Sequence, residues 1–186
     1  MGFAIAEELA SRGAMVHLVA GPVLLRTINK NINRIDVTSA ETMNEQCLQA
    51  FPLVDGAVMC AAVADYTPVD KADQKLKRGD ENFIIELKPT SDIAAGLGKM
   101  KTEKQLLVGF ALETNNEMQH ALAKLKKKNL DFIILNSLND PGAGFQTDTN
   151  KITIIDKHNN LFKFELKTKE QVAIDIVDRM IAEMGL

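Results

Sequence analysis

No basic excess runs through this sequence: 22 lysines and arginines stand against 25 acidic residues, a net charge of −3. Without an overall positive field there is little counterion release to drive general nucleic-acid binding, so any phosphate site has to be a local cluster. Cysteine is scarce as well. Cys47 and Cys60 both sit in apolar patterns and read as reduced core residues, which excludes a disulfide framework. No apolar run reaches the length of a membrane span and no basic-then-apolar leader opens the chain. No membrane partner is expected, and the cytoplasm is the expected compartment. The three histidines are scattered. His17 falls in an apolar strand pattern and reads as a satisfied core residue; His120 and His158 lie in a helix and a turn. They supply neither zinc-ligand spacing nor a Ser-His-Asp pattern. An enzyme built on these residues would work by positioning and electrostatics on an activated phosphate rather than through a side-chain nucleophile.

What is present suits one globular domain: 186 residues, 46% hydrophobic and 25% charged. In "MGFAIAEELASRGAMVHLVAGP", Phe3, Ile5, Ala6, Leu9 and Ala10 form a helical stripe that Gly13 can end, and a buried strand follows up to Gly21-Pro22. A helix, a turn and such a strand make the second half of a βαβ unit. The strand that should feed this helix is not among these residues, nor is the phosphate-binding turn that normally follows it. The expectation is a single domain over 1–186, truncated so as to lack its first strand and phosphate loop. That second strand ends "VAGP", without the acid that holds ribose hydroxyls in dinucleotide-binding folds. No Tyr-x-x-x-Lys pair occurs either, so of the two alternative readings, a nicotinamide-dependent oxidoreductase and a non-catalytic nucleotide-binding module, the first loses support.

Downstream, "INRIDV" predicts a strand and Thr38 with Glu41 a capping box opening the helix "SAETMNEQCLQAF". "LVDGAVMCAAVA" predicts a central parallel strand, "NFIIELK" another strand and "SDIAAGLGKMK" a short helix. "KQLLVGFALE" and "LDFIILN" are buried strands around a helix capped by Thr114 with Glu117. "NKITIID" and "NLFKFELKT" make a hairpin across "KHNN", and Thr168 with Gln171 caps a last helix whose buried face carries Val172, Ile176, Met180 and Met184. The fold class is α/β: a Rossmann-like, mostly parallel sheet with helices on both faces, closed by a C-terminal β-hairpin and helix.

Open α/β sheets bind ligands beyond the carboxyl ends of their strands. The residues there are Asp65, then Glu113, Thr114 and Asn115, then Asn136, with Lys75, Lys77 and Arg78 on the long segment from Tyr66 to Gly79. Asp65 has two readings, a carboxylate for a phosphate-bound Mg²⁺ or a turn residue capping backbone amides, and taken alone the turn is favoured. Lys75, Lys77 and Arg78 read as a lid over phosphates or as a solvated charge run. Lys124 and Lys128 share a helical face and also suit a helix C-terminus. Phe110 can stack on a base or pack, and Ser91 with Asp92 can contact a ligand or cap a helix.

In its segments "CAAVADYTP", "KLKR", "SDI", "VGFALETNN", "AKLKKKNLDFIILN" and "GFQTDTNKITII", together with the opening 22 residues, the chain resembles phosphopantothenoylcysteine synthetases. The resemblance implies a ligase joining 4′-phosphopantothenate to L-cysteine through an acyl-cytidylate, with CTP and Mg²⁺. It implies that Asp65 is the nucleotide and metal-site acid and Lys75 the catalytic cation of a mobile loop. Met59, Cys60 and Ala61, and Ser91, Asp92, Ile93 and Ala94, would lie along the cytidine, Phe110 beside it, and Lys124 and Lys128 on the triphosphate. A homodimer is implied, with the hairpin from Lys151 to Lys167 contributing contacts, as is a partner decarboxylase domain. The family's chain continues upstream with a strand and a loop ending "SSGK", which carries phosphate contacts and is absent from these residues, putting turnover by this chain in question.

Overall fold

The stripe at the start of the chain forms α1, Gly2–Ser11, in the computed structural model, which describes the protein except residues 71, 73, 79–81, 114, 115, 138–146 and the side chains of Glu113 and Ser137. Gly13, at φ 95°, ends α1. Its amide donates to the Ala10 carbonyl and that of Ala14 to the Leu9 carbonyl, both at 3.1 Å, a Schellman pairing that needs the left-handed residue. Val16–Ala20 (β1) and Ile32–Asp36 (β2) then pair in parallel. α2 covers Ala40–Ala50, β3 Gly56–Met59, β4 Tyr66–Pro68, β5 Leu87–Pro89, α3 Ile93–Met100 and β6 Leu106–Glu113. α4 follows at Glu117–Lys127, β7 at Phe132–Ser137, β8 at Thr149–Asn150, β9 at Ile152–Asp156, β10 at Leu161–Lys163, β11 at Lys167–Thr168 and α5 at Lys169–Met184.

The main sheet runs β10-β9-β7-β6-β3, with β3, β6 and β7 parallel and β9 and β10 antiparallel. Its inner strands are apolar on both faces, as burial under two helical layers requires. One face packs Leu107, Ile133 and Ile155 against Leu97 of α3 and Leu125 of α4. The other packs Val108, Phe132 and Ile134 against Val172, Ile176 and Met180 of α5 and Ile5 of α1. No helix among the described residues is long and apolar enough to cross a membrane.

Several expectations need correction. The box opening α2 is Ser39 with Thr42, not Thr38 with Glu41: the Ser39 hydroxyl accepts from the Thr42 amide at 3.1 Å while the Thr42 hydroxyl accepts from the Ser39 amide at 3.2 Å. The N-cap of α4 is Asn116, in the left-handed region at φ 47° without a side-chain cap bond; the Thr114 box falls outside the described residues. Among the described residues the strand expected at the centre lies at a sheet edge: only Gly56–Met59 pair, with β6, and Cys60–Ala64 leave the ladder. "NFIIELK" yields only β5, paired with β4, and Phe83, Ile84 and Ile85 are exposed because no neighbouring layer covers them. His17 is exposed rather than core, its Nδ1 3.4 Å from Asn33 Nδ2, because no further strand or helix among the described residues covers that face of β1.

The cap of α5 is as expected. Thr168 Oγ1 accepts from the Gln171 amide at 3.3 Å, and Gln171 Oε1 accepts from the Thr168 amide at 3.2 Å. Thr168→Ala should therefore lower stability by about 1 kcal/mol, read as a reduced urea midpoint at unchanged m-value. Thr168→Ser, which keeps the capping hydroxyl, should lose little of that stability.

Candidate nucleotide site

A cavity of about 830 Å³ runs among the described residues from the space between β1 and β3 to the start of α3. That is the size of a small-molecule site. Met59, Cys60 and Ala61 reach it from the end of β3, Ser91, Asp92, Ile93 and Ala94 from the start of α3, and Phe110 from β6. Lys124 and Lys128 reach it from the last turns of α4, and Asp65 from the turn before β4. Lys75 is exposed and does not line it, nor do Lys77 and Arg78. Asn136 is also elsewhere, its side-chain oxygen accepting from Asn150 Nδ2 at 3.3 Å. Thr114, Asn115 and the Glu113 side chain lie outside the described residues.

Local chemistry explains how these groups are placed. Beyond Met59 the chain leaves the ladder, and Thr90 gathers the loose end: its hydroxyl donates to the Ala64 carbonyl at 2.7 Å and its amide to the Asp65 carbonyl at 2.9 Å. Thr90 itself lines the cavity. Sequence reading gave it no role, although a hydroxyl in "PTSD" just ahead of a helix start was the available signal. Asp92 is the N-cap of α3, and Oδ1 accepts from the Ala95 amide at 3.1 Å while lying 3.0 Å from Lys128 Nζ. Burial pushes the Asp92 carboxyl up, but the Ala95 amide and Lys128 together outweigh it and hold it below the usual carboxylate range. Capping and lining a site are thus compatible in Asp92, and Lys128 enters the rim as half of an ion pair. Cys60 is different. Burial raises its thiol, so it offers an uncharged wall rather than a nucleophile.

The Asp65 carboxylate, like that of Asp55 elsewhere on the cavity, makes no hydrogen bond or ion pair among the described residues, so capping amides is not its role here. One exposed carboxylate suits a Mg²⁺ carried mainly by substrate oxygens, the usual way this ion is held. No group of three or more His, Cys, Asp or Glu among the described residues could cage a metal alone. The cavity therefore combines an apolar floor, from Met59, Ile93, Leu97 and Phe110, with a rim bearing a free carboxylate and two lysines. Such a wall can hold a flat aromatic group below and phosphates above.

The family described as DNA/pantothenate metabolism flavoprotein C-terminal domain matches residues 1–184. A protein of an unknown prokaryotic organism named "Cysteine/Cysteine sulfinic acid decarboxylase" is 58% identical over 181 residues, 97% of this chain and 50% of that protein. The coenzyme A biosynthesis bifunctional protein CoaBC of Haemophilus influenzae is 42% identical over 181 residues, 97% of this chain and 44% of that protein. The chain thus spans about half the length of the curated relatives it matches. A solved C-terminal domain of a coenzyme A biosynthesis bifunctional protein CoaBC superposes with a TM-score of 0.80 at 35% identity, covering 98% of this chain and 81% of that one. Matched along nearly all its length in sequence and sharing the fold, the chain belongs to the DNA/pantothenate metabolism flavoprotein C-terminal domain family.

Proposed function

We propose that this chain is a single synthetase-type domain of coenzyme A biosynthesis, a phosphopantothenate–cysteine ligase that uses CTP. The observation that carries the proposal is convergence. Eleven of the twelve residues that the resemblance assigns to the nucleotide, drawn from β3, the following turn, α3, β6 and α4, line one cavity. In this reading the carboxylate of 4′-phosphopantothenate bonds to the α-phosphorus of CTP as the bond to pyrophosphate breaks. The cysteine amine then attacks the acyl carbon and CMP leaves. Met59 to Ala61 and Ser91 to Ala94 flank the cytidine, Phe110 packs beside it, and Lys124 and Lys128 face the phosphates. Negative charge accumulates at the attacked phosphorus, where fixed cations lower the barrier most. Mg²⁺ on the phosphates would be held at Asp65 and would add charge neutralisation. Lys75 is the cation of the segment that follows β4, which would have to close over the site for Lys75 to act.

The unmatched half of the relatives is where this reading places a decarboxylase, in agreement with the name of one relative and the bifunctional description of the other. A homodimer belongs to the same proposal, with the hairpin from Lys151 to Lys167, which includes β10, contributing contacts.

The test is CMP release. With CTP and Mg²⁺, CMP should appear only when 4′-phosphopantothenate is added, and the cysteine adduct should form on adding L-cysteine. ATP serving as well as CTP would overturn the nucleotide assignment. CTP binding by calorimetry with no CMP under any condition would reduce the proposal to nucleotide binding.

A further inference from the structure

Something other than its own side-chain contacts has to aim Asp65, because its carboxylate has no partner among the described residues. Its direction follows from its main chain. On one side of it, Cys60–Ala64 are outside the β3 ladder. On the other begins the ribbon of β4 and β5, in which opposite residues alternate between hydrogen-bonded and non-bonded pairs. The Val69 amide donates to the Glu86 carbonyl at 3.0 Å, and the register then makes Thr67–Lys88 and Asp65–Thr90 the other bonded pairs. Tyr66–Pro89 and Pro68–Leu87 are the non-bonded ones, where a proline gives up no ladder bond. Asp65–Thr90 is therefore the bonded pair at the cavity end of the ribbon.

Thr90 closes that end twice. Its amide donates to the Asp65 carbonyl at 2.9 Å, and its hydroxyl donates to the Ala64 carbonyl at 2.7 Å. These two carbonyls belong to the two peptide planes that flank the Asp65 Cα. Holding both planes fixes both backbone dihedrals of Asp65, and with them the direction of its side chain. Opposite residues of an antiparallel pair also share one face of the ribbon. Accordingly Asp65 and Thr90 both line the cavity, and the next pair, Tyr66 and Pro89, does not. The amide bond is open to any residue but proline at position 90. The second bond needs a hydroxyl.

From this geometry we infer that Thr90 is a positioning residue of the site, whose hydroxyl aims the Asp65 carboxylate into the cavity. The inference rests on the reading of Asp65 as the acid that faces the nucleotide's Mg²⁺. That ion demands near-ideal octahedral placement of its oxygens, so a carboxylate free to swing holds it less well. Serine can take the place of Thr90 in this role. Valine, with the same shape and no hydroxyl, cannot.

The test is the gain in CTP affinity on adding Mg²⁺, measured by calorimetry as the ratio of the dissociation constants in EDTA and in Mg²⁺. Thr90→Val should lower that ratio by about fivefold, the worth of roughly one ordinary hydrogen bond. Thr90→Ser should restore it, and Asp65→Asn should abolish the gain. A change confined to cavity shape or stability would weaken CTP equally with and without Mg²⁺ and leave the ratio where it was. An unchanged ratio in Thr90→Val while Asp65→Asn loses the gain, or no recovery with serine, overturns the role of Thr90 alone. No CTP binding by the unsubstituted chain, no gain with Mg²⁺, or a full gain in Asp65→Asn overturns the metal reading of Asp65, and this inference with it.

Discussion

Asp131→Ala should cost about 3–5 kcal/mol, a large part of the 5–15 kcal/mol that holds a domain together. Asp131 is 6% exposed at the start of β7. Its Oδ2 accepts from Lys101 Nζ and from the Leu107 amide, both at 2.8 Å, and Oδ1 accepts from Lys157 Nζ at 3.2 Å. Lys101 is almost equally buried, whereas half of the Lys157 side chain is exposed. The loss is therefore set by Lys101 and Leu107, and Lys157 contributes little. Removing the carboxylate strands a buried ammonium and a buried amide, and that uncompensated pair is what costs. Replacing both partners, as in Asp131→Leu with Lys101→Met, should cost less than the sum of the single changes, by at least about 1 kcal/mol in a double-mutant cycle. A cycle that closes to zero would show that the pair is not coupled. Because Lys101, Leu107, Asp131 and Lys157 do not line the cavity, ligand affinity per folded molecule should not change.

The same carboxylate dictates an acid dependence. Burial raises the Asp131 carboxyl, but Lys101 and the Leu107 amide more than compensate and hold it below its ordinary value. A carboxyl depressed by folding stabilises fully above its unfolded value, about 3.9, and that contribution drains away as pH falls further through the folded value. Stability measured by urea titration should thus decline below about pH 4. It should decline less steeply in Asp131→Asn, which has no charge to lose.

Most local signals in the sequence were read well because local physics decides them, although the box opening α2 was placed one residue too early. Thr168 with Gln171, Gly13 after α1, and the turn Lys157–Asn160 each depend on residues within a few positions. The polar rim was legible for the related reason that parallel strands present their carboxyl ends together, which put Asp65 on the list; Met59 to Ala61 and Ser91 to Ala94 came from the resemblance. What was not legible depends on distant partners. Whether "LVDGAVMCAAVA" lies at the centre or the edge of a sheet is set by what pairs with it, and its apolar run is the same in either place. Asn136 looked like a rim residue until Asn150, fourteen positions on, proved to hold it. The exposure of Ile84, at 87%, contradicts its alternating pattern because alternation predicts a strand face but not whether a layer covers it.

Two glycines in α3 should respond to alanine with opposite signs. Alanine is preferred over glycine within a helix by about 1 kcal/mol. At Gly96 a Cβ would meet only Leu48 Cδ2 at 3.8 Å, an ordinary contact, so Gly96→Ala should stabilise by up to about that amount. At Gly98 a Cβ would stand 2.0 Å from the Lys128 carbonyl oxygen and 2.8 Å from its carbon. That neighbour is backbone, and no rotamer relieves it. Overpacking costs about 1–3 kcal/mol, and a contact this close belongs at the upper end, so Gly98→Ala should destabilise despite the better helix propensity. The consequence reaches the site. The Gly98 carbonyl accepts from Asn129 Nδ2 at 2.9 Å, and Lys128 Nζ lies 3.0 Å from Asp92 at the other end of α3, so the end of α4 is clamped to both ends of one helix. Pushing Lys128 outward lengthens the Asp92 pair and widens the rim. On the proposed reading of the site, Gly98→Ala should therefore weaken CTP binding severalfold in calorimetry at temperatures where the chain is still folded, and Gly96→Ala should leave it unchanged. Equal stability changes in the two variants would mean that α3 and α4 are not in the contact described. A destabilised Gly98→Ala that binds CTP normally would mean that Lys128 does not help hold the nucleotide.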